Sequence, residues 1–73
     1  MKRLTPIEHA KAKGRTVTMS MPDRGPDFRS CASNWLERRA SDGWFYVQGD
    51  NYAFEKPADA AAFKQWLMAE LAA

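Results

Sequence analysis

Apolar and polar residues alternate with a period of two in the stretch RTVTMSMP, and this alternation predicts a half-buried β-strand. The residues of one parity are apolar and are expected to face a core: Val17, Met19 and Met21. The residues of the other parity carry hydroxyl groups and are expected to face away from it: Thr16, Thr18 and Ser20. Pro22 follows and is expected to end the strand, because proline cannot donate to a hydrogen-bond ladder.

Two further apolar stretches, WFYVQ and YAFEK, flank GDN and predict a tight β-hairpin. A two-residue turn at Gly49-Asp50 pairs Val47 with Tyr52 and Phe45 with Phe54, so that four apolar side chains share one face, and a two-residue turn at Asp50-Asn51 keeps the same four on one face. A three-residue loop would instead place Phe45 beside Glu55. Because a slip of one residue turns a strand inside out, the apolar match predicts the two-residue turn.

The segment TPIEHAKAKG has the pattern of a short N-terminal helix. Thr5 is placed to cap its first turn, Pro6 suits the first helical position, and Glu8 completes a capping box. Gly14 is expected to end this helix.

Two longer segments have a helical period, each with one apolar stripe that predicts a core-facing side. In DFRSCASNWLERRA the stripe comprises Phe28, Cys31, Ala32, Trp35 and Leu36. In PADAAAFKQWLMAELAA it comprises Phe63, Trp66, Leu67 and Leu71. Cys31 is therefore expected to be an inert core residue, Arg38 and Arg39 to be solvated, and Gly43 to end the first of these helices.

These elements predict an α+β fold in which a short N-terminal helix precedes a β-α-β-β-α body. Both long helices are expected to cover one face of a three-stranded sheet, because that arrangement buries every apolar stripe. The third strand is expected in the middle, the other two at the edges, and the β-α-β crossover to be right-handed. The fold is predicted to be a truncated ferredoxin-like sandwich, with residues 1–14 as a basic arm and 15–73 as the body of a single domain.

The composition narrows the function classes. The chain has 73 residues, one Cys and one His, which excludes an internal disulfide and a multi-cysteine zinc site. No set of residues resembles a catalytic constellation or a phosphate-binding loop, so we expect neither an enzyme nor a cofactor. No apolar run follows the basic start or approaches a membrane span, so we expect no membrane partner and a location in the cytoplasm.

Charge is unevenly distributed along the chain. Residues 1–15 hold five basic residues against one acidic residue, whereas the remainder holds six basic and eight acidic residues. Such an arm suits contact with nucleic acid or with an acidic protein surface, but the pattern favours a solvated, partly frayed terminus.

The hairpin leaves two large aromatic residues, Trp44 and Tyr46, on the sheet face opposite the long helices, which we call the outer face. Three interpretations stay open. The N-terminal helix folds back and covers them with Leu4 and Ile7, or they contact another protein chain, or they stack on nucleic-acid bases as in RRM domains. A homodimer packed through the same face is a further alternative. The predicted contact residues are Trp44, Tyr46, Lys11, Lys13 and Arg15.

The stretch YAFEKPADAAAFKQWL, residues 52–67, resembles small accessory proteins of tailed bacteriophages and related mobile elements. In that pattern a strand ends in an aromatic-acidic pair, and a Pro-x-Asp-Ala helix start leads into Phe-Lys-x-x-Trp or a close variant. The matching residues are Phe54, Glu55, Pro57, Asp59, Ala60, Phe63 and Lys64, and Trp66 lies one place earlier than in the pattern. The resemblance implies a protein that binds host machinery and occludes a surface of a larger protein or nucleoprotein complex, as anti-CRISPR inhibitors do. It assigns no functional residue.

Overall fold

The computed structural model describes residues 1–12 and 17–72. In chain order the elements are β1 (Lys2–Arg3), α1 (Pro6–Lys11), β2 (Val17–Ser20), α2 (Pro26–Arg38), β3 (Trp44–Gln48), β4 (Asn51–Phe54) and α3 (Pro57–Ala72). The α+β class and all five elements of the predicted body are confirmed. The predictions made for Lys13, Gly14, Arg15 and Thr16 lie outside the described residues.

The sheet has the strand order β1-β3-β4-β2, so it contains four strands and not the three that were predicted. The third strand of the body, β4, lies between β2 and β3 and is antiparallel to both, as predicted. However, β3 is not an edge strand, because β1 pairs with it in parallel. Backbone hydrogen bonds from Lys2 to Gly43 (3.2 Å) and from Leu4 to Phe45 (2.9 Å) hold this added strand.

The predicted two-residue turn and core face of the hairpin are confirmed, and of the two turn positions left open the register is that of Gly49-Asp50, with Phe45 opposite Phe54 and Val47 opposite Tyr52. Gln48 pairs with Asn51, so the turn consists of Gly49 and Asp50. Gly49 has a φ of 60°, a left-handed conformation that glycine adopts without steric cost.

Both long helices pack on one face of the sheet, where the core lies. Phe63 of α3 is fully buried, with ring-centroid distances of 4.9 Å to Tyr52 and 5.7 Å to Phe54. The largest buried side chains are Tyr52, Phe45, Phe54, Phe63 and Leu36. Replacing a buried phenylalanine such as Phe63 by alanine typically costs about 3–5 kcal/mol, because it removes apolar contact and leaves a cavity.

The stripe of α2 is narrower than its sequence predicts. Ala32 and Leu36 are fully buried, but Cys31 is exposed and Trp35 is only half-buried, so the assignment of Cys31 to the core is wrong. The reason is geometric, because only one line of a helix faces a flat sheet and the flanking positions are turned toward solvent. In addition, α2 ends at Arg38, well before Gly43, and Arg39 is its C-cap in an extended conformation.

A partly buried ion pair joins the end of α2 to the start of α3. The Nε atom of Arg39 donates to Oδ1 of Asp59 at 2.9 Å, and the Ser41 hydroxyl donates to Oδ2 at 2.8 Å. The Asp59 side chain is 3% exposed, and that of Arg39 is 31% exposed. The prediction that Arg39 is solvated is therefore wrong, because its guanidinium neutralises a carboxylate in the first turn of α3.

Candidate functional site

The N-terminal helix α1 lies over the outer face of the sheet, and local hydrogen bonds fix its first turn. The Glu8 amide donates to Oγ1 of Thr5 at 3.2 Å, and the Thr5 amide donates to Oε1 of Glu8 at 3.1 Å. This is the capping box that the sequence predicts. Nζ of Lys2 lies 3.1 Å from the same carboxylate, so the β1 strand and α1 are joined by an ion pair.

The environment of Glu8 favours its ionised form. The backbone amide of Thr5, followed by the ammonium group of Lys2, holds the pKa of the Glu8 carboxyl below its ordinary value of 4.5. The carboxylate is solvent-exposed, so solvent screens the pair and its effect is local to the start of α1.

His9 provides the contact between α1 and the outer face. Its imidazole ring lies parallel to the Tyr46 ring, with a centroid distance of 4.0 Å and an interplanar angle of 6°. It also meets Trp44 edge-on, at 5.8 Å and 79°. Both aromatic residues are half-buried, whereas Phe45 between them is fully buried on the core side. The alternation along β3 therefore divides three successive aromatic residues between two faces.

Ile7 does not take part in this packing. It is 70% exposed, the highest value among the large hydrophobic residues described. Of the three interpretations left open, the one in which the N-terminal helix folds back over Trp44 and Tyr46 therefore describes the helix, but the cover is His9 and not Ile7. Lys11 is also exposed and follows Ile7 by four residues, which places both on the same side of the short helix. The outward side of α1 therefore combines an aliphatic side chain with a positive charge.

A shallow hollow of about 140 Å³ opens beside α1 on the outer face. Its lining combines aromatic rings with hydroxyl and amide groups: His9, Thr18, Tyr46, Gln48, Asn51, Tyr52 and Ala53. The hollow is continuous with the edge of the His9 and Tyr46 stack. We call α1, Trp44, Tyr46 and this hollow together the α1 surface.

Among the residues predicted to make contacts, the structure brings Trp44, Tyr46 and Lys11 to the α1 surface. Lys13 and Arg15 lie outside the described residues. Part of the basic arm is offset by acidic partners, because Lys2 faces Glu8 and NH1 of Arg3 lies 3.9 Å from a carboxylate oxygen of Glu37.

Sequence reasoning assigned no role to His9, the one histidine of the chain. The alternation of β3 already placed Trp44 and Tyr46 on the outer face, and the capped helix at the N-terminus, although distant in sequence, was the element available to cover them. It also assigned to the core three aromatic residues that are half-buried along α2 and α3: Phe28, Trp35 and Trp66. Neighbouring rings in this row are 5.8 Å apart.

The row of half-buried rings borders a groove of about 360 Å³ between α2 and α3. Cys31 and Trp66 line the groove together with polar residues. The guanidinium of Arg39 lies 5.7 Å from the centre of the Trp35 ring, within the range of cation–π attraction.

Within residues 1–12 and 17–72, no group of three or more His, Cys, Asp and Glu residues is placed to hold a metal ion. No helix in the same part of the chain has the length and apolar character needed to cross a membrane. In the comparisons with known proteins, no family model, no curated protein and no solved structure matches this chain.

Proposed function

We propose that this protein is a small non-enzymatic binding protein that acts by occupying a surface of a larger protein or nucleoprotein complex. The contact is made by the α1 surface. The observation that carries the proposal is the outward orientation of Ile7, which is 70% exposed beside Lys11 while the more polar His9 packs against the sheet.

A helix that packs on a sheet ordinarily turns its aliphatic residues inward, because burial of apolar area stabilises the contact. In α1 the imidazole of His9 takes the inward place, so the chain's own packing gives no reason for an aliphatic residue at the outer side. The capping box and the ion pair to Lys2 hold the first turn in position. A partner that contacts Ile7 therefore meets a preorganised surface and loses less conformational entropy on binding.

The same geometry favours a protein partner over nucleic acid. A base that stacks on a sheet aromatic lies parallel to its ring, and the imidazole of His9 occupies that place over Tyr46 at 4.0 Å. Two of the basic residues of the arm, Lys2 and Arg3, face carboxylates and contribute less to phosphate neutralisation.

The biological context of the proposal comes from the resemblance of residues 52–67 to phage accessory proteins. On that basis the partner is a bacterial host protein or nucleoprotein complex in the cytoplasm, and the action is that of an inhibitor that occludes it, as with anti-CRISPR proteins. The body is then a truncated ferredoxin-like sandwich that displays α1.

The experiment is capture of partners from a bacterial lysate by the wild-type chain, by Ile7→Ser and by Met68→Ser. Met68 is a matched control, because it is also a large hydrophobic residue that is strongly exposed, at 61%, and it lies on α3. Loss of a binding hot spot of about 2 kcal/mol weakens affinity roughly thirtyfold. We therefore expect Ile7→Ser to lose the captured protein and Met68→Ser to retain it.

Equal capture by both variants would refute the role of the α1 surface. Quenching of tryptophan fluorescence by single-stranded oligonucleotides at low salt would instead support a nucleic-acid partner. Sedimentation of the free protein as a dimer that Ile7→Ser dissociates would assign the surface to self-association.

A further inference from the structure

The strand β2 is an edge of the sheet, and its register shows which backbone groups point outward. It pairs with β4 through Met19 opposite Tyr52 and Thr18 opposite Ala53. The amide of Met21 donates to the carbonyl of Asp50 at 2.8 Å, one step further along the same register. Since residues of an antiparallel strand alternate in the direction of their N–H and C=O groups, Val17 and Met19 also bond toward β4.

Thr18 and Ser20 consequently direct their backbone N–H and C=O groups away from the sheet. Within the described part of the chain, no backbone hydrogen bond reaches these groups. Pro22 is the next residue of the same parity and has no N–H, so the edge that is free to pair is short. Such an edge is a template for another strand.

A groove of about 460 Å³ runs between this edge and α3. Its wall on the helix side consists mainly of small residues with one basic residue at the rim: Pro57, Ala60, Ala61 and Lys64. The floor is formed by β2 itself, whose Val17 and Met19 side chains are half-buried. Among the residues that the structure describes, none of those lining the groove is acidic, and Lys64 is solvent-exposed.

We propose that the edge of β2 binds an extended segment of a partner protein as an added strand. The backbone of the segment bonds to the outward groups of Thr18 and Ser20, and alternate apolar side chains enter the groove beside Ala60 and Ala61. An acidic residue of the same parity meets Lys64. This is recognition by strand addition, in which main-chain bonds supply affinity and the groove supplies specificity.

The charge of the groove favours a peptide over a second copy of this chain. A two-fold pairing of two β2 edges would join the two grooves and bring the Lys64 ammonium groups of both copies into one space with no acidic residue in its lining. Like charges in such proximity oppose association, whereas a carboxylate from a peptide neutralises the ammonium group of Lys64.

The position of the groove also has a simple origin in the fold. In a complete β-α-β-β-α-β unit, the last strand lies at the edge of the sheet, beside the first strand of the unit. In this protein the first strand of the unit corresponds to β2. The body of this protein has the order β3-β4-β2, and in the described residues that place beside β2 is not filled. The segment we propose occupies it.

The test is selection of binders from a displayed library of random linear peptides about eight residues long. An enriched peptide is then synthesised and titrated into the labelled protein, with backbone amide shifts and hydrogen exchange as readouts. We expect enrichment of alternating apolar residues with an acidic residue of the same parity, and slowed exchange of the Thr18 and Ser20 amides. Failure to enrich such a pattern, or exchange that stays unchanged at both amides, overturns the proposal.

Two pairs of variants separate the contribution of backbone hydrogen bonds to peptide affinity from the contribution of charge. Thr18→Pro removes an outward N–H without removing a bond to β4, and Thr18→Ala changes the side chain alone; we expect roughly tenfold weaker binding only for the first. Lys64→Glu is expected to weaken binding of the acidic peptide, whereas Arg38→Glu, the same charge change on α2, is not. The Lys64 pair tests the proposal even where Thr18→Pro unfolds the chain, and equal binding by Lys64→Glu and Arg38→Glu refutes the charge match.

Peptide binding at the β2 edge does not depend on contact of a partner with α1. Ile7→Ser is therefore expected to leave peptide affinity unchanged. An enriched peptide whose binding depends on Ile7 and not on Lys64 would place the interaction at α1 and contradict strand addition at β2.

Discussion

Substitution of Arg39 by methionine is expected to be strongly destabilising, because it leaves the Asp59 carboxylate in a site that is 3% exposed. The methionine retains an apolar stem against the Trp35 ring but removes the guanidinium that donates to Oδ1 of Asp59 at 2.9 Å. The remaining partners of the carboxylate are the Ser41 hydroxyl and the N-terminal turn of α3.

The loss of unfolding free energy is estimated from the hydrogen bond that Arg39→Met removes and from the partners that Asp59 retains. A hydrogen bond to a charged group contributes about 1.5–3 kcal/mol. Removal of one partner from a fully buried pair costs about 3–5 kcal/mol, but Arg39 is 31% exposed and Asp59 retains other partners. We therefore expect a loss of about 2–3 kcal/mol. For a chain of 73 residues, a total stability of about 4–11 kcal/mol is typical, so the loss is a large part of the whole.

The assay is urea denaturation followed by far-ultraviolet circular dichroism, with the same denaturant slope expected for all variants. Arg38→Met is the matched control, because Arg38 precedes Arg39 and is exposed; its cost should stay within about 0.5 kcal/mol. Adding Asp59→Asn to Arg39→Met should recover about 1 kcal/mol, since it removes the uncompensated charge. Equal stability of the Arg38 and Arg39 variants, or a further loss in the double variant, would refute the reasoning.

Three other outcomes are expected. Gly43→Ala should cost about 1–3 kcal/mol in the same urea assay, because its Cβ would lie 2.7 Å from Oδ2 of Asp59; unchanged stability would show that the carboxylate moves freely. Since the folded pKa of Glu8 is lowered, its contribution to the first turn of α1 is fully present above 4.5 and is lost as pH falls through the folded pKa; the NMR shift of the Thr5 amide, which donates to Glu8, should change only below 4.5, and a change above it would contradict the assignment. Because Cys31 is exposed, it should react with a thiol reagent in the folded protein at nearly its rate in urea; full protection in the folded protein would show that its side chain is buried.

The hairpin and the faces of its strands were predictable because their determinants lie close together in sequence. The turn, the parity of Phe45 and Val47, and the matching parity of Tyr52 and Phe54 all belong to one segment, and a slip in register would expose them together. The capping box of α1 was predictable for the same reason, since Thr5 and Glu8 are three residues apart.

The features that sequence reasoning missed depend on contacts between distant segments. The strand Lys2–Arg3 has two charged residues and no apolar alternation, so only its backbone pairing to β3 makes it a strand. Arg39 and Asp59 are 20 residues apart, and each alone has the appearance of an ordinary polar residue at a helix end. Gly43 likewise suggested a helix stop, whereas its lack of a side chain leaves room for the Asp59 carboxylate.

The three consecutive aromatic residues of β3 connect the fold to both proposed contacts. Phe45 anchors the strand in the core, which fixes Trp44 and Tyr46 on the outer face and gives His9 a rigid platform. The docking of His9 on that platform is consistent with a helix whose other side holds Ile7 toward solvent. Meanwhile β4, paired with β3 on one side, places β2 at the far edge of the sheet. The hollow of the α1 surface extends across β4 to Thr18 of that edge, so the two proposed contacts share this residue. Substitutions at Ile7 and at Lys64, each of which belongs to one contact alone, are therefore the ones that distinguish them.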